Sequence, residues 1–356
     1  MTSLPQTLLA ASGGSGDFVK LDIELWAWAA LLAGITVLLI TDLLIVHRKP
    51  HDISFKEAAI ESTVWIAIGV SFSVVILWWH GGGAAGEYLS GYLIEKSLSI
   101  DNVFVWSVIF TYFGVPAKYQ FRVLFWGIFG ALVLRAIFIF AGVRLIETFD
   151  WVLYVFGAFL VITAVRIARH SETEVHPEKN PVLKLVKKMI PSSTEYDGQK
   201  LFTVENGKRL ATPLFAVLIL IETTDVVFAV DSIPAILAVS REPFIVFSSN
   251  AFAILGLRAL YFLLAGMADR FRYLNQGLGV ILGFVGVKML IAEVVHLPTW
   301  SSLAVISVIL TITIAVSLRA ERKEEEEETE EAAARDAEEP EGEGDSASPT
   351  DRSATR

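Results

Sequence analysis

Long apolar runs, separated by short polar or basic segments, dominate the first 318 residues of the chain. A helix needs about 20 consecutive apolar residues to cross the hydrocarbon core of a bilayer. Nine runs meet that length, at approximately 25–46, 58–79, 88–113, 120–141, 144–168, 212–237, 244–265, 275–295 and 300–318. The pattern therefore predicts an all-α polytopic membrane protein with about nine transmembrane helices.

The sixth apolar run carries carboxylates at membrane depth. Its segment IETTDVVFAVDSIPA, residues 221–235, contains Glu222, Asp225 and Asp231. Each charge at the bilayer centre costs about 2.5–3.5 kcal/mol on insertion scales, so such residues face a protein interior, a water path or a bound cation. Pro234 has no backbone N–H, and we expect it to kink or open the helix beside Asp231.

The third run contains a similar acidic segment, LIEKSLSIDNVFV, residues 93–105. Its Glu95 and Asp101 have the same six-residue spacing as Asp225 and Asp231. Six residues correspond to about 120° off-face on a regular helix. The two members of each pair can therefore share one site only if the helix is broken between them; otherwise each member faces a different neighbour.

The similarity between the two acidic segments continues downstream. Arg135-Ala-Ile-Phe matches Arg258-Ala-Leu-Tyr, and the order of matches holds through residues 88–168 and 212–295. We interpret these ranges as two three-helix repeats, as in transporters with internal symmetry. Basic residues flank alternate ends of the nine runs, which places the N-terminus outside and the C-terminus in the cytoplasm. With that orientation the two repeats are inverted copies.

This organisation divides the chain into seven parts. They are an extracytoplasmic N-terminal segment (1–24), helices 1–2 (25–87), repeat 1 with helices 3–5 (88–168), a cytoplasmic loop (169–211), repeat 2 with helices 6–8 (212–295), helix 9 (296–318) and an acidic disordered cytoplasmic tail (319–356). Within the loop, residues 181–190 suit either a short helix on anionic lipid or a flexible linker. Asn206-Gly207 favours a two-residue hairpin turn, because both residue types accept positive φ.

Composition limits the kinds of cation that the membrane segments could bind. The chain is 54% hydrophobic, has a mean hydropathy of +0.56 and carries a net charge of −10. Residues 321–356 hold 15 acidic and 5 basic side chains, so the remaining 24 of each sign cancel and the acidity belongs to the tail. There is no cysteine, and the six histidines fall at helix ends or in loops. An intramembrane cation would therefore meet oxygen ligands, which favours hard ions such as Mn²⁺, Mg²⁺ or Ca²⁺.

These observations predict a cation site shared by the two acidic helices. Suitable groups are Asp101, Asn102, Asp225, Asp231 and Ser232. Empty carboxylates in a low dielectric tend to hold protons, so exchange of a cation for protons follows as a hypothesis. The structural alternative is that the acids pair with buried Lys96, Arg135 and Arg258. Asn250 is either a supporting ligand or a helix-to-helix hydrogen-bonding residue.

Three segments resemble the TerC/Alx family of integral membrane proteins. They are EKSLSIDNVFVW (Glu95–Trp106), ENGKRLATPL (Glu205–Leu214) and ETTDVVFAVDSIPAI (Glu222–Ile236). The resemblance covers roughly residues 21–318 and implies manganese export and an association with tellurium resistance. It also adds Glu95 to the metal-binding positions. The supporting residues are then Glu222, Lys96, Arg135, Arg258, Asn250 and Pro234.

Two functions remain open. The first is a transporter of the bacterial inner membrane that exports Mn²⁺ or a related divalent ion as its substrate, with no permanent cofactor. The second is a non-transporting membrane scaffold that helps to assemble or metallate other proteins. The expected partners are the lipid bilayer, a divalent metal ion and protons, and no motif suggests nucleic acid. No nucleotide-binding or hydrolase motif is present either, and we expect no enzymatic activity.

Overall fold

The structure is a computed structural model that describes residues 18–43, 53–149, 151–169, 191, 193, 195–205, 207–264, 273–292, 294–295 and 297–338. Its helices are α1 (Leu25–Thr41), α2 (Phe55–Phe113), α3 (Ala117–Thr148), α4 (Val152–Arg169), α5 (Pro213–Leu237), α6 (Pro243–Leu255), α7 (Leu257–Leu264), α8 (Leu274–Leu290) and α9 (Thr299–Glu338). Six stretches of the described residues are long and apolar enough to cross a membrane, with α6 and α7 counted together, and α1 and part of α8 are shorter apolar helices. The chain is therefore an all-α polytopic membrane protein, as predicted.

Helix α2 joins two of the predicted spans. Gly81 has φ 84° and ψ −178°, so the helical geometry breaks there and α2 has a first arm (55–80) and a second arm (82–113). Positive φ suits glycine because it has no Cβ. The second arm begins several residues earlier than the apolar run predicts, and it brings Glu87 into the helix.

A small hairpin lies before α5. Strands β1 (Phe202–Glu205) and β2 (Lys208–Ala211) pair antiparallel, with Glu205 opposite Lys208. Two residues therefore connect the strands, and Gly207 has φ 74°. The predicted hairpin is confirmed, because Gly207 takes up the positive φ that the turn requires.

The acidic helices pack on helices from the other half of the chain. Helix α2 packs against α6 and α7, while α5 packs against α3 and also touches α2. The third pair, α4 and α8, packs closely: a Cβ on Gly157 would lie 3.0 Å from the carbonyl oxygen of Gly286. Small residues at such contacts allow helix backbones to approach in a membrane. The result is an interlocked core in which α5 and α2 are neighbours.

Two local predictions were wrong. Helix α5 remains α-helical through Pro234 to Leu237, and the Ala238 N–H donates to the Pro234 carbonyl at 3.1 Å, so the helix does not open beside Asp231. The tail was predicted to be disordered from residue 319, but α9 continues to Glu338. Its Glu- and Ala-rich composition has high helix propensity, which outweighs the low hydrophobicity there. The predicted surface helix at 181–190 and residues 339–356 lie outside the described residues.

Candidate functional site

The two acidic helices meet at one buried arginine. Arg135 of α3 donates from Nη2 to Asp225 Oδ1 at 2.9 Å and from Nε to Asp225 Oδ2 at 3.3 Å. Its Nη1 donates to Glu95 Oε1 of α2 and to Ser232 Oγ of α5, the latter at 3.1 Å. One guanidinium thus binds a carboxylate from each acidic helix. The paired N–H groups hold Asp225 in a bidentate geometry that only arginine provides.

Helix α6 completes this arrangement. Asn250 Nδ2 donates to Glu95 Oε2 at 3.0 Å, and Ser99 Oγ lies 3.4 Å from Glu95 Oε1. Asn250 therefore acts in helix-to-helix hydrogen bonding and touches a predicted metal ligand. We call Glu95, Arg135, Asp225, Ser232 and Asn250 the Arg135 cluster.

The Arg135 cluster is buried in the protein interior. All five side chains are at most 2% exposed. Fully ionised, its two carboxylates and one guanidinium sum to a charge of −1. In a low-dielectric interior such charges are tolerated only when they are paired and hydrogen-bonded. The cluster meets that condition for most of its atoms and retains one unit of negative charge.

Asp101 and Asn102 are not part of the Arg135 cluster. They lie further along α2, where Asp101 Oδ1 and Asn102 Oδ1 are buried and have no hydrogen-bond partner among the described residues. Trp106 Nε1, one helical turn beyond Asn102, is also buried without a partner. Unsatisfied buried polar atoms cost about 1–3 kcal/mol each. Two acceptors without donors within about one turn are the kind of arrangement that a proton or a cation would satisfy.

Asp231 lies against α4 rather than beside Asp225. Its Oδ1 accepts from Thr163 Oγ1 at 3.2 Å. The two members of each spaced pair therefore face different neighbours, which decides the alternative left open by the spacing. Regular helix through both segments is the reason, since six residues separate the side chains by about a third of a turn.

Glu222 is one helical turn before Asp225 and packs on α3. A Cβ on Gly130 would overlap the Glu222 carboxylate, so only glycine leaves room for it there. Glu222 Oε2 is buried and has no hydrogen-bond partner in the part of the chain that the structure describes. Glu222 therefore borders the Arg135 cluster without entering it.

The second predicted counter-ion, Arg258 of α7, has different partners. Both terminal nitrogens bind Asp42, which follows α1, and Nη2 lies 3.7 Å from Glu61 Oε2 on the first arm of α2. The guanidinium also lies over the Phe121 ring, 4.4 Å from its centroid. We call Asp42, Glu61, Phe121 and Arg258 the Arg258 cluster. The structural alternative thus holds for Arg135, which pairs with Glu95 and Asp225, but not for Arg258, whose partners are other carboxylates.

Lys96 does not pair with a carboxylate in the described part of the chain. Its Nζ instead donates to the Ala253 carbonyl at 3.3 Å. Nor do the described residues contain a group of three or more His, Asp or Glu side chains that could hold a metal ion by themselves. The predicted six-ligand site is therefore divided: Glu95, Asp225 and Ser232 come together, whereas Asp101, Asn102 and Asp231 lie elsewhere.

One buried carboxylate was missed by the sequence reasoning. Glu87 is 0% exposed and accepts from Ser240 Oγ at 2.6 Å and from the Val19 N–H at 2.8 Å. It ties the segment before α1 to the end of α5. The signal was weak, because Glu87 follows a glycine-rich stretch that suggests a loop rather than a helix.

These features define a polytopic membrane protein with a charged cluster at the contact of two acidic helices. The model of the "Integral membrane protein TerC family" matches residues 80–325, and the chain belongs to that family. No solved structure matches the chain.

Several curated relatives are similar over most of their length. The chain is 50% identical over 281 residues to "Uncharacterized membrane protein STKORF319" of Myxococcus xanthus, which covers 79% of the chain and 88% of the relative. It is 47% identical over 289 residues to "Putative membrane-bound redox modulator Alx" of Escherichia coli (strain K12), covering 78% and 90%. A protein of the same name from Photorhabdus laumondii is 45% identical over 295 residues, covering 80% and 92%.

Proposed function

We propose that this TerC-family protein is a secondary transporter that exports divalent metal cations, with Mn²⁺ as the first substrate to test. The observation that carries the proposal is the meeting of Glu95 and Asp225 at Arg135. Two carboxylates from different helices converge in a site that is almost fully buried. In membrane proteins such residues mark ion pathways by default.

Arg135 occupies the place that a cation would take in this proposal. A hard divalent ion takes about six oxygens, and the cluster offers carboxylates, a hydroxyl and an amide. Metal binding would weaken the hold of Arg135 on Glu95 or Asp225, and the two helices would then move relative to α3. Protons are the proposed counter-flow, taken up by the emptied carboxylates.

The architecture supports alternating access. Helix α2 packs on α6 and α7 and α5 packs on α3, while α4 and α8 pack on each other. Two inverted repeats, related by a two-fold axis, would exchange contacts in this way. We therefore propose nine membrane crossings, counting the two arms of α2 separately, together with inverted repeats at 88–168 and 212–295. The proposed location is the bacterial inner membrane, with the N-terminus outside and the C-terminus in the cytoplasm.

The test is Mn²⁺ flux in proteoliposomes under an imposed proton gradient. Asp225→Asn should reduce flux at least tenfold, because it removes a charge of the Arg135 cluster while keeping the side-chain shape. The matched control is Asp42→Asn, which also removes one carboxylate from a buried arginine but lies in the Arg258 cluster. Flux that persists in Asp225→Asn, or disappears equally in both variants, would overturn the assignment of the site.

A second function is favoured by one specific observation. Arg135 donates hydrogen bonds to both Glu95 and Asp225, as it would in a purely structural cluster. A non-transporting scaffold that assists assembly or metallation of other proteins fits that finding. It predicts no flux from folded wild-type protein, so the same experiment separates the two functions.

The name of the E. coli relative, a redox modulator, is compatible with metal transport. This chain has no cysteine, so thiol–disulfide exchange by its own side chains is excluded. Moving a redox-active divalent metal across the membrane would change the redox state of a compartment indirectly. We propose that route for any redox effect of this protein.

A further inference from the structure

A buried helix in the second half of the chain is broken in its middle. The apolar stretch within Pro243–Leu264 is fully buried, yet its helix is interrupted. Helix α6 ends at Leu255, and α7 begins at Leu257. The last four carbonyls of a helix have no partner within it. That of Ala253 is one of them, and no water is available at membrane depth to satisfy it.

The Lys96 ammonium is placed at this helix end. Its Nζ lies 3.3 Å from the Ala253 carbonyl oxygen and 3.0 Å from where a Cβ on Gly256 would be. The C-terminal end of a helix carries a partial negative charge, which favours a cation. Gly256 thus leaves the space that the ammonium fills.

Glu95, the residue before Lys96, links this position to the Arg135 cluster. Glu95 accepts from Asn250, three residues before Ala253 on the same helix. Lys96 and Arg135 together balance the charges of Glu95 and Asp225. Without the ammonium, the broken end of α6 would lack a positive charge, and the adjacent cluster would keep only that of Arg135.

We propose that the carbonyl end of α6 is a binding site for a monovalent cation, and that the Lys96 ammonium occupies this site. In transporters with discontinuous helices, C-terminal ends and unwound carbonyls coordinate monovalent ions such as Na⁺. Here the ammonium fills that role covalently, and removal of its side chain leaves a latent site for Na⁺, K⁺ or NH₄⁺. This inference goes beyond the proposed transport of divalent metal and does not depend on it.

The experiment is thermal unfolding of the full-length Lys96→Ala protein in detergent. The Tm is measured in NaCl, KCl, NH₄Cl and choline chloride at equal ionic strength, because choline is too large for the site. We expect the Tm of Lys96→Ala to rise by roughly 5 °C in at least one small cation relative to choline, by preferential binding to the folded state. Wild type should show no such difference.

Lys288→Ala is the matched control. Lys288 is also a buried lysine, but its Nζ donates to Ser302 Oγ at 2.8 Å and not to a helix-end carbonyl. Its variant should not distinguish small cations from choline. An equal response of the two variants would contradict the proposal, since it would reflect general loss of a buried charge.

A further variant separates charge from hydrogen bonding. Lys96→Gln keeps an N–H donor near Ala253 without the positive charge. The proposal expects Lys96→Gln to be less stable than wild type in every salt. If Lys96→Gln matches the wild-type Tm, or if Lys96→Ala fails to fold in all four salts while Lys96→Gln folds, the ammonium is only a hydrogen-bond donor and the proposal is overturned. Because the readout is stability, failure of Mn²⁺ transport would leave this result unaffected.

Discussion

Arg135 and Arg258 occupy matching positions in the two halves of the sequence but have different surroundings. Arg135 binds Glu95 of α2 and Asp225 of α5, so it joins the two acidic helices. Arg258 binds Asp42 after α1 and lies near Glu61 of the first arm of α2. The first arginine thus pairs with a carboxylate from each half. The second pairs with carboxylates that precede both halves and reaches the other half only through the Phe121 ring.

The difference shows that a shared residue type does not imply a shared role. Arg135 is at a contact that must change if the two halves move relative to each other, whereas Arg258 is covered by a ring at 4.4 Å and tied to α1. A transport cycle that moves the halves would therefore break the ion pairs of Arg135 and leave the ion pairs of Arg258 with Asp42 and Glu61 intact. The following predictions test this contrast, from the largest expected effect to the smallest.

Arg135→Met should be the most damaging single change. It leaves Glu95 and Asp225 buried without their shared cation, and breaking a buried ion pair from one side costs about 3–5 kcal/mol. The free energy of unfolding in detergent is the measurement. The triple variant Glu95→Gln, Arg135→Met, Asp225→Asn should recover most of that stability, since no uncompensated charge remains, but should not transport Mn²⁺. A triple variant with normal flux would show that the cluster is structural only.

The double variant Arg258→Met, Asp42→Leu should be much milder. Replacing both partners of a buried pair with apolar residues is often neutral or stabilising. Glu61 remains nearby, so we expect a net loss of about 1–3 kcal/mol from its reduced pairing. Mn²⁺ flux per folded protein should stay within about twofold of wild type. A loss of flux comparable with that of Asp225→Asn would remove the distinction between the two clusters.

Asn250→Ala should lower the stability of the protein through the Arg135 cluster alone. It removes the donor to Glu95 Oε2, and a buried acceptor left unsatisfied costs about 1–3 kcal/mol. Ser249→Ala is the control, because Ser249 is equally buried but its hydroxyl donates to the Val246 carbonyl of its own helix. Thermal unfolding should separate the two variants. Equal losses would mean that burial, and not the contact with Glu95, determines the effect.

The exposed ion pair of Asp197 and Lys200 should have the smallest effect on stability. Asp197 accepts from Lys200 Nζ at 2.9 Å and from Thr203 Oγ1 at 2.8 Å, and the hydrogen bond from Lys200 holds the pKa of Asp197 below its ordinary value of 3.8. Because the folded-state pKa is lowered, the stabilisation is present above the ordinary value and is lost as pH falls through the lowered one. Because both side chains are exposed, this stabilisation is small, and Asp197→Asn should leave the Tm at neutral pH unchanged within error. A clear drop in the Tm at neutral pH would contradict this.

The pattern of polar residues predicted much of what the structure contains. Six helices among the predicted apolar runs are long and apolar enough to cross a membrane, and Asn206-Gly207 located the hairpin. The carboxylates in α2 and α5 identified the helices that form the cluster. These features are readable because they depend on local properties: the length of an apolar run, the φ that a turn requires, and the cost of a charge in a bilayer.

Other features depended on residues far apart in the chain. Pro234 was expected to kink or open α5, but α5 stays helical through Leu237 where it packs against α3 and α2. The break occurs instead at Gly256, which the sequence analysis did not identify. A helix interior surrounded by neighbouring helices can keep its geometry when one N–H is missing, because those neighbours re-satisfy the backbone.

The sequence by itself determined which residues carry charge into the membrane and which helices bear them. Only the tertiary structure decided that Asp225 pairs with Arg135 while Asp231 faces Thr163, and that Arg258 turns to Asp42. The physical reason is that a buried charge is stabilised by whichever opposite charge or donor the packed helices bring within about 3 Å, and that choice depends on the crossing of helices rather than on spacing along one of them.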